Sequence, residues 1–320
     1  MKLYYFSDED SYTFRCFTQC SCNYDVYSLT QKVFENRGQT LSFTAAVDYV
    51  ARTCGRSFGF GIEIETKEEK NPEMEWMNRV TRKKKVELPE LKFYNEAILD
   101  VFSHHNNPSL FRNDHISEAA LDKFGIRYYD KASRIVLVNR FWENGKIIGL
   151  RGRYNGVIES GMAKYIPLTI QGHTYSYPTF MNLFGLWENK EAIKRLKKII
   201  IFESEKSVLQ TFSFFGEDCY AVALSGSSLS QRQIDIVLSI EGLSEVQIAM
   251  DCEFQHGDRD AELRQMQKVL GMARKFTPFI RTTVLWNSEG LIGFKESPAD
   301  RGKDVLVQML KQKQEVLNKE

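Results

Sequence analysis

Histidine is scarce in this chain, with five among 320 residues and the first at position 104. No histidine is therefore near in sequence to the cysteines of the N-terminal segment. Long apolar runs are also missing: no uninterrupted stretch approaches the ~18 residues that a membrane-spanning helix requires. The N-terminus turns acidic by Asp8 and lacks the apolar core of a secretory signal. The expectation is a soluble, intracellular, cytoplasmic protein with no membrane partner. A Gly-x-x-x-x-Gly-Lys-Ser/Thr run occurs nowhere, which excludes a fused P-loop motor. Net charge is lacking too, since 43 Lys and Arg against 42 Asp and Glu leave +1. Any nucleic-acid-binding surface must then be local. Six cysteines in a chain of this kind read as thiols or metal ligands, because a disulfide framework belongs to small secreted domains.

What is present is a globular composition, 42% hydrophobic and 27% charged, long enough for two or three units with real cores. The stretch from Lys197 to Glu253 organises it. The apolar runs KKIIIFES, CYAVALSG and EVQIAMDCEF are separated by helix-length segments and read as buried strands of a mostly parallel sheet with crossover helices. Glu203, Asp251 and Glu253 then lie at strand ends, on the carboxyl edge where open α/β sheets bind ligands. Residues two apart on an extended segment share a face, so Asp251 and Glu253 are expected to point together, with Glu203 reaching them from the next strand. Two such charges about 4 Å apart repel by roughly 4 kcal/mol at an effective dielectric of 20. The cluster needs a proton or a cation, and carboxylates without His or Cys suit Mg²⁺ or Mn²⁺.

Upstream, KLYYF and YTFRCF around SDEDS read as a hairpin, followed at once by Cys16, Cys20 and Cys22. Two helices are expected next, one capped by Asp25 and one ending near Gly55. Three cysteines without a nearby His cannot close a four-ligand zinc shell, so zinc binding and plain reduced thiols both stand as readings. Residues 1–55 form this first segment. The glycine-containing and charged stretch over 56–86 reads as a linker. Residues 87–194 form an α+β segment and 195–320 an α/β domain. In the former, LPELKFYNEAILDVF reads as helical, and ISEAALDKFGI as a helix capped by Ser117 and ended by Gly125. RIVLVNRFWENGKIIGLRGRYN reads as a hairpin turning at Glu143, Asn144 and Gly145, with Arg151 and Arg153 on one face. Between Arg127 and Lys164 eight Lys or Arg face three acids. This is the basic surface that the overall charge conceals, interleaved with aromatic residues able to stack on bases. Asp300 and Asp304, in KESPADRGKD, read as helix N-terminal acids favoured by the dipole.

The order of these pieces resembles the DnaG-type bacterial and phage DNA primases. A strand ending in Glu203, a strand ending Leu-Ser-Gly-Ser and a strand ending Asp251-x-Glu253 are similar to the TOPRIM unit. That unit ends in Asp-x-Asp in most relatives. Many primases also carry a further Asp where Ser207 stands. KFGI, RIVLVNRF, ENGKIIG, RGR, AKYIPL and NLFGLW resemble successive segments of the N-terminal half of the primase polymerase core. FRCFTQCSCNYDVYSL resembles the second half of the zinc ribbon that precedes that core. Cys16 and Cys20 would be a partial zinc site, and Met1 would be an internal start or the ribbon a decayed one. The resemblance implies an α/β fold with a TOPRIM domain and metal ligation by Asp251 and Glu253. Glu203 would be a ligand or proton acceptor, and Arg134, Arg151, Arg153 and Lys164 would bind nucleotide or DNA. It implies RNA primer synthesis on single-stranded DNA from ribonucleoside triphosphates, by a nucleotidyltransferase of a phage or mobile element in a bacterial cell. A replicative helicase is an open partner, since the docking domain that usually follows is not in the sequence. The alternatives are a TOPRIM nuclease and a catalytically silent single-strand-binding protein.

Overall fold

The computed structural model describes residues 3–8, 11–16, 23–54, 89–104, 111, 113–156, 163–255 and 257–317. The chain divides into two units, Met1–Glu90 and Leu91–Glu320. In the first, the expected hairpin is formed by β1 (Leu3–Asp8) and β2 (Ser11–Cys16), paired antiparallel from Leu3 opposite Cys16 to Asp8 opposite Ser11. A short β3 (Asn23–Tyr24) adds to β2. Asp25 caps α1 (Val26–Asn36) by accepting a hydrogen bond from Ser28 N at 2.6 Å, as its position before an amphipathic run predicts. Ser42 caps α2 (Phe43–Thr53). The two helices meet through Phe34 against Tyr49, ring centroids 4.9 Å apart. The side chain of Cys16, all of Cys20 and Cys22, Gly55 and the expected 56–86 linker lie outside the described residues.

The second unit holds two five-stranded sheets. One is antiparallel: β4 (Ser103–His104), β5 (Arg127–Tyr129), β6 (Arg134–Arg140), β7 (Ile147–Tyr154) and β8 (Tyr165–Pro167) pair in sequence order. The hairpin predicted over RIVLVNRF and IIGLRGRY is β6–β7, turning through Gly145 at φ +72°. Strand alternation splits β6 between two cores. Val136 and Val138 pack with Ile147, Leu150, Leu168 and Phe102. Ile135 and Leu137 belong instead to the large core that includes the second sheet. LPELKFYNEAILDVF is not the helix its composition suggests but a six-residue 3₁₀ helix, Glu96–Val101. Tyr94 explains the difference, because its N–H is drawn 2.8 Å from Ile147 O in an antiparallel bridge, so a longer helix cannot start there. Ser117 caps α3 (Glu118–Lys123) as expected, and Gly125 follows it at φ +61°. A two-stranded ribbon, β9 (Thr169–Ile170) with β10 (His173–Thr174), precedes α4 (Leu186–Leu196).

The other sheet has the order β12–β11–β13–β14–β15. Its strands are β11 (Lys198–Phe202), β12 (Ala221–Ala223), β13 (Glu245–Ala249), β14 (Arg281–Val284) and β15 (Gln314–Glu315). The first four run parallel and β15 antiparallel to β14, so the fold is α/β with a mostly parallel sheet, as the Ile- and Val-rich runs indicate. The crossovers are α5 (Glu205–Phe215), α6 (Gln231–Leu238) and α7 (Arg259–Ala273), and α8 (Lys303–Lys311) leads into β15. Ile199, Ile200, Ile201 and Phe202 are wholly buried or nearly so, and share one apolar core with Phe124, Leu121 and Phe184 of the preceding segments. Phe184 bridges the sheet edge at Ala223. Gly185 follows at φ +84°, where a Cβ would sit 2.8 Å from Val208 Cγ1, so only glycine lets α4 start this close to α5.

Glu188, in the first turn of α4, has Oε1 buried without a hydrogen-bond partner among the described residues. Desolvation raises its carboxyl to about 7, against the pull of its own backbone N–H and the charges of Arg140 and Lys123. The folded chain thus holds a proton that the unfolded chain releases above 4.5. This contribution to stability is complete below that value and is lost as pH rises to about 7, a cost of about 3 kcal/mol. Glu188→Gln should remove that slope and raise the urea midpoint at pH 8 but not at pH 4. Parallel midpoint-against-pH curves for the two chains would refute it.

Candidate active site

The register of the parallel strands sets the site. Phe202 pairs with both Ala223 and Ala249, so β11, β12 and β13 end level. Glu203 follows β11 directly, Ser225 lies two residues past β12, and Asp251 two past β13. Gly226 N donates to Glu203 O at 3.2 Å, which holds the Leu-Ser-Gly-Ser loop against the end of β11. Beyond β13 the chain is clamped by Gln265 of α7: its Nε2 donates to Asp251 O at 2.5 Å and its Oε1 accepts from Glu253 N at 2.6 Å. Cys252, between them, is buried and exchanges backbone hydrogen bonds with Lys295 and Glu296.

This clamp separates the two acids that were expected to converge. Glu253 is exposed and pairs with Lys268 at 3.0 Å. Asp251 instead feels Glu203 and Asp300. Desolvation first, then those two negative charges, raise its carboxyl to about 7, against Lys206 and Lys164. Asp300 is displaced the other way. Desolvation would raise it, but the Lys206 ammonium 2.5 Å away, the Ser297 N–H at 3.0 Å and the Gln210 amide at 3.1 Å prevail and hold it below the ordinary value. Two carboxylates on one patch thus shift in opposite directions, because Lys206 lies against one of them and not the other. Asp300 lies before α8 and its Gly302 cap, so it is not the helix-terminal acid its sequence position suggests; Asp304, in the first turn, is.

The predicted cations are largely committed within the fold. Arg151 reaches across to Glu205 at the start of α5 in an ion pair whose carboxylate side is 2% exposed, and its guanidinium lies 5.2 Å from the Tyr165 ring centroid. Glu205 was not singled out from sequence, although an acid at a helix start next to a strand end is a recognisable signal. Arg153 contacts Asp114 at 3.4 Å and lies over the Phe111 ring. Arg134 is buried, donates to Gly152 O at 3.3 Å and lies over the Tyr154 ring. Lys164 is exposed as a residue. Desolvation of its ammonium, then the charges of Arg153 and Lys206, lower its pKa, while Asp300 and Asp114 oppose the shift. It is the predicted cation whose charge reaches Asp251.

Among the described residues no group of three or more His, Cys, Asp or Glu gathers to hold an ion unaided. Magnesium does not ordinarily need one, since one or two carboxylates suffice when water and substrate phosphates complete the shell. Glu203 and Asp251 fit that requirement by donor chemistry. Asp251 Oδ1 adds a second sign, being buried with no hydrogen-bond partner among the described residues, a cost that a cation would remove. Cys16 and Cys20 offer no such test, because their side chains lie outside the described residues. No helix among the described residues is long and apolar enough to cross a membrane.

The chain is 37% identical over 327 aligned positions to the SPbeta prophage-derived uncharacterized protein YorJ of Bacillus subtilis (strain 168), covering 98% of this chain and 85% of that one. No family model matches. Among solved structures, the Aquifex aeolicus primase (zinc-binding and RNA polymerase domains) superposes with a TM-score of 0.51 at 18% identity, over 97% of this chain and 77% of that one. The RNA polymerase domain of Mycobacterium tuberculosis primase DnaG gives 0.50 at 14% identity, over 69% of this chain and 82% of that one. The fold is therefore the one seen in the polymerase domains of bacterial primases.

Proposed function

The chain belongs to the family of the SPbeta prophage protein YorJ, and from that premise we propose that it is a DNA primase of a phage or mobile element. It would synthesise short RNA primers on single-stranded DNA from ribonucleoside triphosphates. The observation that carries this reading is the placing of Glu203 and Asp251 at the level ends of two adjacent parallel strands, in a primase-like fold, with Asp251 short of positive charge. We read the parallel sheet as a TOPRIM unit on the same grounds.

Glu203 and Asp251 would hold Mg²⁺ or Mn²⁺, which when bound supplies Lewis-acid stabilisation of charge on the transferring phosphoryl group. The rest of the work falls to the chain. Gln265 fixes the backbone on both sides of Cys252 and so orients Asp251. Lys164 neutralises phosphate charge next to Asp251. Arg151, tied to Glu205, holds the antiparallel sheet to the start of α5, and Arg153 ties the same strand to Asp114 ahead of α3. The zinc ribbon enters this proposal only through the resemblance of FRCFTQCSCNYDVYSL, and a helicase partner only through the resemblance to the primases as a family.

Incubating the purified chain with single-stranded DNA, ribonucleoside triphosphates and Mg²⁺ or Mn²⁺ tests the reading. New oligoribonucleotides are expected. Cut DNA would make it a nuclease, and neither product would make it a silent binding protein. For template binding, Lys164→Ala should lower the slope of log affinity against log salt by roughly 0.7. Arg134→Met should leave that slope unchanged in fluorescence anisotropy titrations, because its guanidinium is already buried against Tyr154 and Gly152. The reverse ranking would assign template contact to the wrong face.

A further inference from the structure

Lys206 stands in the first turn of α5, at the positive end of the helix dipole, where an ammonium is disfavoured. Carboxylates hold it there. Its Nζ is 2.5 Å from Asp300 Oδ1 and 3.8 Å from Asp114 Oδ1, and its side chain is only 14% exposed. Asp300 is engaged on both oxygens by the chain's own donors, since Oδ1 also accepts from Gln210 Nε2 and Oδ2 from Ser297 N. Ser207, next in sequence, offers no charge and donates its hydroxyl to Ser297 Oγ at 2.7 Å. Around Asp251 three carboxylates (Glu203, Asp251, Asp300) thus face two ammonium groups (Lys206, Lys164), one negative charge in excess once Asp251 is ionised. A divalent ion at Glu203 and Asp251 would turn that excess positive, which suits a triphosphate. A second divalent ion on the Asp300 side would have to displace Lys206 from a contact made at hydrogen-bond distance.

We propose that Lys206 is a built-in cation: its ammonium occupies the Asp300 side of the acidic patch in place of a second divalent ion, so the site takes a single one. Phosphoryl-transfer sites with two ions hold them about 3.5–4 Å apart as a symmetric clamp. Here one half of that clamp is tethered and monovalent. The inference rests on the reading above only in that Glu203 and Asp251 hold an ion.

The test is a Mn²⁺ titration of the full chain without nucleotide, with free ion followed by its electron paramagnetic resonance signal. The unaltered chain is expected to bind one ion. Lys206→Met leaves Asp300 and Asp114 without their ammonium and should bind a second ion, whereas Lys206→Arg keeps the charge and should bind one. Because Lys206→Met removes a half-buried partner and can misfold, Asp300→Asn serves as an independent arm. It frees the Lys206 charge from Asp300, so that the charge bears more strongly on Asp251, and should weaken the single site about tenfold. Two ions in the unaltered chain overturn the proposal. So does an unchanged ion count in folded Lys206→Met, or an unchanged affinity in Asp300→Asn, while binding at Glu203 and Asp251 stands. No ion in any chain overturns the metal reading as well.

Discussion

Asp251→Asn should lower primer synthesis by roughly 10²–10³-fold, the scale set by removing one preorganised electrostatic contact to a transferring group. The same change should make the ion-free protein more stable at pH 8. The two effects have one cause. Burial and the charges of Glu203 and Asp300 make the Asp251 carboxylate costly to ionise, and the neutral amide escapes that cost while losing the ability to hold a cation. A rise in melting temperature together with lost activity would separate this from simple misfolding, which lowers both. An Asp251→Asn chain that primes normally would remove the carboxylate mechanism. Glu253→Ala is the contrasting change, since Glu253 is turned toward Lys268 and exposed. It should leave activity within a fewfold of the unaltered chain.

Breaking the Arg151–Glu205 pair should be the most destabilising polar change in the second unit. The carboxylate side is 2% exposed and the guanidinium side 18%, so removing either partner strands a buried charge, at about 3–5 kcal/mol. Arg151→Met and Glu205→Gln should each shift the urea midpoint sharply downward. Combining Arg151→Met with Glu205→Leu should recover most of the loss, because two apolar side chains need no compensation. Additive losses in the double variant would mean that the residues act separately. The expectation also reassigns Arg151. A residue that binds template through its guanidinium would lose affinity and keep stability, and Arg151 should show the opposite.

Local and periodic features of the chain were decided by sequence alone. Runs such as KKIIIF and EVQIA, short, β-branched and set between helix-length segments, favour buried parallel strands, and ENG between two β-rich runs turns a hairpin. Asp25 and Ser117 can cap because a short oxygen side chain reaches the N–H groups two or three residues on, whatever surrounds it. Glu203 and Asp251 were legible for the same reason, since a strand's end puts its next residues at the sheet edge. Pairing between charged side chains was decided only by the tertiary structure. Glu253 and Asp251 alternate correctly on paper, but Gln265 grips the backbone between them after β13 has ended, and Glu253 turns to Lys268. Asp300 enters the acidic patch although it lies about fifty residues downstream of Asp251. It is held there by the Ser297 N–H three residues before it, a local contact, and by Lys206 and Gln210, donors that no spacing rule connects to it. Arg151 and Arg153 share a face as predicted, yet their partners Glu205 and Asp114 come from other segments and turn two apparent phosphate ligands into struts. The physical reason is range. Backbone propensity and capping act over a few residues and are written along the chain, whereas a charge in a poorly solvated patch responds to every group that folding brings near it.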